Sequence, residues 1–170
     1  MQTEFLTPRL SLHLIEEHDA DFVLTIVNTQ GWLEFIGDRN VHSLDDAVNY
    51  IHKLKNTPNL YYWVTRLTSS GTPIGIISFL KRDYLDFFDI GFALLPQYSG
   101  QGYAYEGAHE ILTTMLQHPD HSVILATVLP HNTPSVTLLK KLGLTFQEEI
   151  YPNTQVLHVY RIERAMKATT

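Results

Sequence analysis

Hydrophobic and polar residues change their spacing several times along this chain, and each change marks an element. Leu10, Leu12 and Leu14 alternate with Arg9, Ser11 and His13, the two-residue period of a half-buried strand. Phe22, Val23, Ile26 and Val27 recur at helical spacing, so a short helix is expected over residues 19–28. Ser43 followed by Asp46 resembles a capping box, with Asp in place of the usual Glu. A helix carrying Ala47, Tyr50, Ile51 and Leu54 is expected to follow it. Residues 61–67 and 74–80 read as strands joined by a turn through Ser69, Ser70 and Gly71. Residues 87–95 form the next strand. After a glycine-rich loop, Ala104, Ala108, Ile111, Leu112, Met115 and Leu116 share one helix face, which is expected to pack on a sheet. Residues 123–128 are a buried-strand run. Thr133 reads as a helix cap with Pro134 at the first helical position, and Gly143 as the stop. Residues 157–162 form a last strand. This order predicts an α/β (α+β) fold with a mixed sheet covered on both faces.

Composition narrows the class. A chain of 170 residues suits a single domain, spanning 1–170, with a full core. The net charge of −6 argues against a general nucleic-acid binder, which needs a basic surface. The absence of cysteine excludes a disulfide framework, a cysteine nucleophile and cysteine-ligated zinc. Residues 1–10 carry Glu4 and Arg9 and no long apolar run, unlike a secretory signal, and no segment reaches membrane-spanning length. A cytoplasmic protein with no membrane partner is expected. His118 and His121 flank Pro119 and Asp120 in what reads as a solvated loop, so no metal is expected there. His109 reads as a surface or packing residue.

The segment from Pro96 to Ala104 carries the chemistry. Gly100 and Gly102 free the backbone for unusual conformations and for close approach of a ligand. The helix that follows begins with N–H groups lacking internal partners, a ready site for an anion. A P-loop is excluded because Tyr103 and Ala104 stand where Lys and Ser or Thr belong. A Rossmann turn is excluded because Tyr105 stands where a third glycine belongs, with Gly107 out of register. What remains is Gln97-x-x-Gly100-x-Gly102, either a phosphate cradle or an ordinary tight turn. The preceding strand has Phe88, Ile90, Phe92 and Leu94 on one face and Asp89, Gly91 and Ala93 on the other. The small residues leave room either for a slender ligand or for a crossing helix. Farther on, His131-Asn132-Thr133-Pro134-Ser135 joins a carboxamide and a hydroxyl at a helix start. Capping accounts for Thr133 and Pro134 but does not require Asn132 or Ser135.

Taken together, these segments resemble the GNAT superfamily of acetyltransferases over most of the chain. Ile90-Gly91-Phe92-Ala93-Leu94 with the glycine loop is similar to its acetyl-CoA motif, and Asn132, Leu138 and Lys141-Leu142-Gly143-Leu144 to its later motif. Ser135 stands where many members have Ala, and Leu139 where many have the Tyr that protonates the leaving thiolate. Asn132-x-x-Ser135, Leu6-Thr7-Pro8-Arg9-Leu10 and Ile36-Gly37-Asp38-Arg39 resemble the branch containing ribosomal-protein N-terminal acetyltransferases.

The resemblance implies a mostly antiparallel sheet flanked by helices, acetyl-CoA as co-substrate and no metal. It implies acetyl transfer to a primary amine, on a protein N-terminus or a small molecule, by direct attack on the thioester. A monomer or homodimer is expected. Leu94, Leu95, Gln97, Tyr98, Gly100, Gln101, Gly102, Tyr103 and Ala104, with Asn132 and Ser135, are the implied cofactor contacts. A backbone N–H near Leu94 or Leu95 polarises the carbonyl in this reading, and Ser135 hydrogen-bonds the sulfur. Asp89 is the candidate base, its competing role being a solvated strand-end carboxylate. Glu106 matches a structural glutamate of the branch, and Trp32, Phe35 and Asp38 lie where relatives shape the acceptor pocket. A CoA-binding sensor or regulatory module without turnover is the alternative.

Overall fold

In the computed structural model, which describes residues 2–165, one eight-stranded sheet runs in the order β1-β2-β3-β4-β5-β6-β8-β7. The strands are β1 (Glu4–Leu6), β2 (Leu10–Leu14), β3 (Leu60–Leu67), β4 (Pro73–Lys81), β5 (Phe88–Leu94), β6 (Val123–Val128), β7 (Thr145–Ile150) and β8 (Leu157–Glu163). Neighbours are antiparallel except β5 and β6. The helices are α1 (Ala20–Ile26), α2 (Gln30–Phe35), α3 (Leu44–Asn56), α4 (Tyr103–Gln117) and α5 (Thr133–Lys141). Among the described residues, no helix is long and apolar enough to cross a membrane.

The alternation read from the sequence separates two cores. Leu10, Leu12, Trp63, Ile77, Phe79 and Ile90 face α4 and α5, where Ala108, Ile111, Leu112, Met115 and Leu139 meet them. Tyr62, Val64 and Ile76 point the other way, onto Phe22, Val23, Ile26, Trp32 and Ile51 of α1–α3. Gly107 is explained by this packing. A Cβ there would lie 2.7 Å from Ile77 Cδ1, so the glycine lets α4 seat directly on the sheet. Ser43 caps α3, accepting from the Asp46 N–H at 3.1 Å, while the Asp46 carboxylate reaches back to the His42 N–H at 2.9 Å.

Two boundaries differ from expectation. The first helix occupies only Ala20–Ile26, preceded by a 3-10 turn at Glu17–Asp19. The cap of α5 is Asn132 rather than Thr133, placing Pro134 one residue deeper. Asn is the stronger cap, and its Oδ1 accepts from the Ser135 N–H at 3.3 Å. Strands β1 and β7 and helix α2 carry no readable period. Two are short, and β7 keeps no side chain fully buried, so its sequence need not alternate.

Candidate active site

The site begins where the sheet stops being continuous. β5 is paired with β4 along its full length, from Lys81↔Phe88 to Gly75↔Leu94. Against β6 it pairs only at Phe88↔Ile124 and Asp89↔Leu125, after which the two strands separate. The Leu95 N–H donates to the Ile74 carbonyl at 2.8 Å. Antiparallel alternation then turns the backbone groups of Asp89, Gly91, Ala93 and Leu95 toward β4, and those of Ile90, Phe92 and Leu94 toward the gap. Leu95 is therefore corrected as an oxyanion donor: its N–H is spent on β4 and its side chain is buried. The Leu94 N–H opens into the gap. Gly91 and Ala93 are only partly buried although they lie mid-sheet. A Cβ on Gly91 would stand 2.7 Å from Ser78 Oγ.

Asp89 sits at the apex of the separation, and it is not solvated as its competing role supposed. It is 1% exposed. Its Oδ2 accepts from the Thr127 N–H at 3.2 Å, from Thr127 Oγ1 at 2.8 Å and from Arg82 Nε at 3.2 Å. In a continued parallel ladder the Thr127 N–H would go to a β5 carbonyl. Here the carboxylate takes it, and the ladder ends. Burial pushes the Asp89 carboxyl up, opposed by Arg82 and the Thr127 donors. A carboxylate buried and engaged in this way is a clasp between strands rather than a base open to an acceptor. The residues that make the clasp, Arg82 and Thr127, were not legible in the sequence, because nothing in their spacing ties them to Asp89.

Beyond β5 the chain makes a 3-10 turn at Pro96–Tyr98, then passes through Ser99, Gly100, Gln101 and Gly102 into α4. Gly100 has φ +75° and Gly102 φ +83°, so both glycines are required by conformation. Gln101 Nε2 donates to the Gln97 carbonyl at 3.0 Å and braces the loop. Gly102 is the cap of α4, with no side-chain cap bond. Among the described residues, the N–H groups from Gly100 to Tyr105 meet no protein acceptor. With the helix dipole behind them they are a set of open donors of the kind that suits an anion. Tyr98 and Tyr103 pack edge to face beside it, their centroids 6.5 Å apart. Glu106, in the first turn, accepts from Thr7 and Arg9 of the β1–β2 connection, the structural role expected of it.

Across the gap, β6 leads into α5. Asn132 and Ser135 are both half-buried there, so the structure brings them together at one helix start. Leu139, at the position where a tyrosine is common, is buried in the core and offers no hydroxyl. On the α1–α3 side, α2 reaches this helix start: Phe35 lies 5.6 Å from the His131 ring and Glu34 Oε1 lies 3.8 Å from His131 Nε2. Trp32 is 3% exposed, with no hydrogen-bond partner for Nε1 among the described residues.

Other histidines pack against or pair with protein groups. His121 is buried against Phe79 and Phe88 rather than solvated, and burial and His118 hold its pKa below the usual value. His109 is exposed beside the Tyr105 ring. His13, His18 and Asp19 converge within 4.8 Å. Arg66 already bonds both Asp19 and His13 Nε2, which makes the cluster a salt-bridged joint between β2, β3 and α1.

A family model described as an acetyltransferase (GNAT) domain matches residues 9–145. The chain belongs to the GNAT family. The acetyltransferase is 29% identical over 138 residues to an uncharacterized N-acetyltransferase, YnaD, from Bacillus subtilis strain 168, covering 81% of this chain and 80% of that one. Its fold is shared with RimL, a ribosomal L7/L12 alpha-N-protein acetyltransferase solved with coenzyme A (TM-score 0.80, 14% identity, 94% and 96% coverage). It is shared equally with a spermidine N-acetyltransferase from Vibrio cholerae solved with CoA and spermine (TM-score 0.77, 16% identity, 93% and 97% coverage). The protein is an acetyl-CoA-dependent acetyltransferase with the mixed, mostly antiparallel sheet of its family.

Proposed function

We propose that this acetyltransferase acetylates a primary amine, on a protein N-terminus or a small molecule, within the gap between β5 and β6. The observation that carries the reading is the gap itself, with the Leu94 N–H turned into it, the open start of α4 on its β5 side and Ser135 at the start of α5 on its β6 side. The cradle from Gln97 to Ala104 receives the CoA diphosphate. The pantetheine arm lies along β5 where Gly91 and Ala93 leave room, and pairs with the backbone groups that β6 has left free.

The Leu94 N–H donates to the thioester carbonyl oxygen and strengthens that bond as charge develops on attack. The Ser135 hydroxyl donates to the sulfur as the C–S bond breaks. A serine hydroxyl is a weak acid, so its larger effect is the hydrogen bond. Asn132 fixes the start of α5, and Asp89 holds the width of the gap. The nucleophile is the neutral amine, whose proton leaves to solvent before attack, so the rate rises with pH until the acceptor is deprotonated. Support for an N-acceptor comes from the relative named an N-acetyltransferase and from neighbours named for a ribosomal protein and for spermidine.

Thiol release from acetyl-CoA, measured across N-terminal peptides, polyamines, amino sugars, alcohols and thiols, tests the proposal. Turnover is expected with at least one primary amine and with none of the alcohols or thiols. Turnover confined to hydroxyl or thiol acceptors sinks the amine assignment.

A further inference from the structure

A carboxylate behind an anion cradle is an electrostatic liability. Glu106 stands in the first turn of α4, close to the N–H groups that receive the diphosphate, and like charges at that range repel. It is not solvated away, being 17% exposed. Burial raises its pKa, but hydrogen bonds from Thr7 and Arg9 outweigh burial and hold the carboxyl below the usual range. Glu106 is therefore charged at neutral pH.

Arg9 answers that charge and does more. Its backbone N–H and Nε donate to Glu106 at 2.9 and 2.6 Å. Nη1 donates to the Gln101 carbonyl at 3.0 Å, and the guanidinium stacks on the Tyr103 ring at 4.4 Å. These contacts fix a planar fork against the loop. Nη2 is left without a protein acceptor among the described residues, and it lies 3.3 Å from where a Cβ of Gly102 would stand. The side chain is 46% exposed, so a ligand on the loop can reach that donor.

We infer that Arg9 is a diphosphate-binding residue of the CoA site: it cancels the charge of Glu106, braces the loop through Gln101 and Tyr103, and donates from Nη2 to a diphosphate oxygen beside Gly102. This rests on the glycine loop being the diphosphate site, as proposed above. Arg9 precedes Gln101 by 92 positions, which is why the loop motif does not contain it. A guanidinium can hold Glu106 through Nε and the Gln101 carbonyl through Nη1 while a third nitrogen faces the ligand, which a single ammonium cannot do in one fixed geometry.

Calorimetric titration of the intact protein with CoA and with dephospho-CoA, at low and high salt, tests the assignment without any acceptor. Arg9→Ala is expected to weaken both ligands equally, by about tenfold to a hundredfold, the range of a hydrogen bond to a charged group, and to flatten the salt dependence. Arg9→Ala with Glu106→Gln is expected to recover part of the loss, because the repulsion is gone, and to stay weaker than the parent protein, because Nη2 is gone. Full recovery reduces Arg9 to a neutraliser and overturns direct binding. A loss seen with CoA but spared with dephospho-CoA moves the contact to the 3′-phosphate and overturns the diphosphate assignment. Unchanged affinity in Arg9→Ala overturns both roles. Arg9→Lys covers the case of a poorly folding alanine variant: it is expected to melt near the parent protein yet lose affinity, and parental affinity overturns the fork. Gly102→Val separates the underlying site: if that folded variant binds CoA normally, the loop itself is not the diphosphate site.

Discussion

Helices α4 and α5 begin on opposite sides of the same gap, and they begin differently. α4 starts at Gly102, which has no side chain to cap it, so its leading N–H groups stay open. α5 starts at Asn132, whose Oδ1 takes the Ser135 N–H, so part of its start is already satisfied. A glycine start forgoes a few tenths of a kcal/mol of helix stability relative to a capping side chain. A protein keeps such a defect where a ligand supplies the missing acceptor. The capped start instead fixes a hydroxyl, Ser135, on a rigid frame. In the site proposed above, one helix start serves a charge that arrives with the ligand and the other a side chain held in place.

The largest test of this contrast is to give α4 a side chain it lacks. Gly102→Val forces a β-branched residue into φ +83° and crowds Arg9, so CoA affinity is expected to fall by about a hundredfold or more, in keeping with strain and lost donors of 1–3 kcal/mol each. Calorimetry on a variant shown to be folded by its melting curve reads the effect. Next comes Ser135→Ala. The turnover number is expected to fall by about a hundredfold or less, since general acid–base effects span 10²–10⁴ and a hydrogen-bond role lies at or below the lower end. The KM for acetyl-CoA is expected to change little. Full turnover in this variant leaves Ser135 as helix-start structure only. The smallest effect belongs to the cap. Asn132→Ala is expected to cost about 1 kcal/mol and to lower the melting temperature by about 2–4 °C for a chain of this size. Asn132→Asp keeps an acceptor for the Ser135 N–H and is expected to restore the temperature. If alanine is harmless to stability, the contrast between the two helix starts is false.

Much of this was legible in the sequence. The alternation of Leu10, Leu12 and Leu14 and the face from Ala104 to Leu116 gave β2 and α4, because burial on one side writes a period into the chain. The loop was readable because two positive φ angles demand glycines at Gly100 and Gly102. Other features were not readable. β7 needs no alternation when none of its side chains is fully buried. Leu94 and Leu95 could not be told apart as donors, because the choice depends on which residues face Ile74 and Gly75 across the ladder. Asp89 looked like a free carboxylate, since Arg82 and Thr127 reach it only through folding. Arg9 looked like one polar position of a strand for the same reason.

The short pairing of β5 with β6 has a thermodynamic consequence. A sheet joined by two residue pairs and one carboxylate clasp is, in hydrogen-bonding terms, nearly two sheets. In the site proposed above, a ligand arm lying in the gap would stand in for the rungs that are missing. On that proposal CoA bound to the folded state, and not to the unfolded one, would be a structural part as well as a reactant. In that case hydrogen exchange in β6, β8 and β7, the strands beyond the short seam, is expected to slow most when CoA is added.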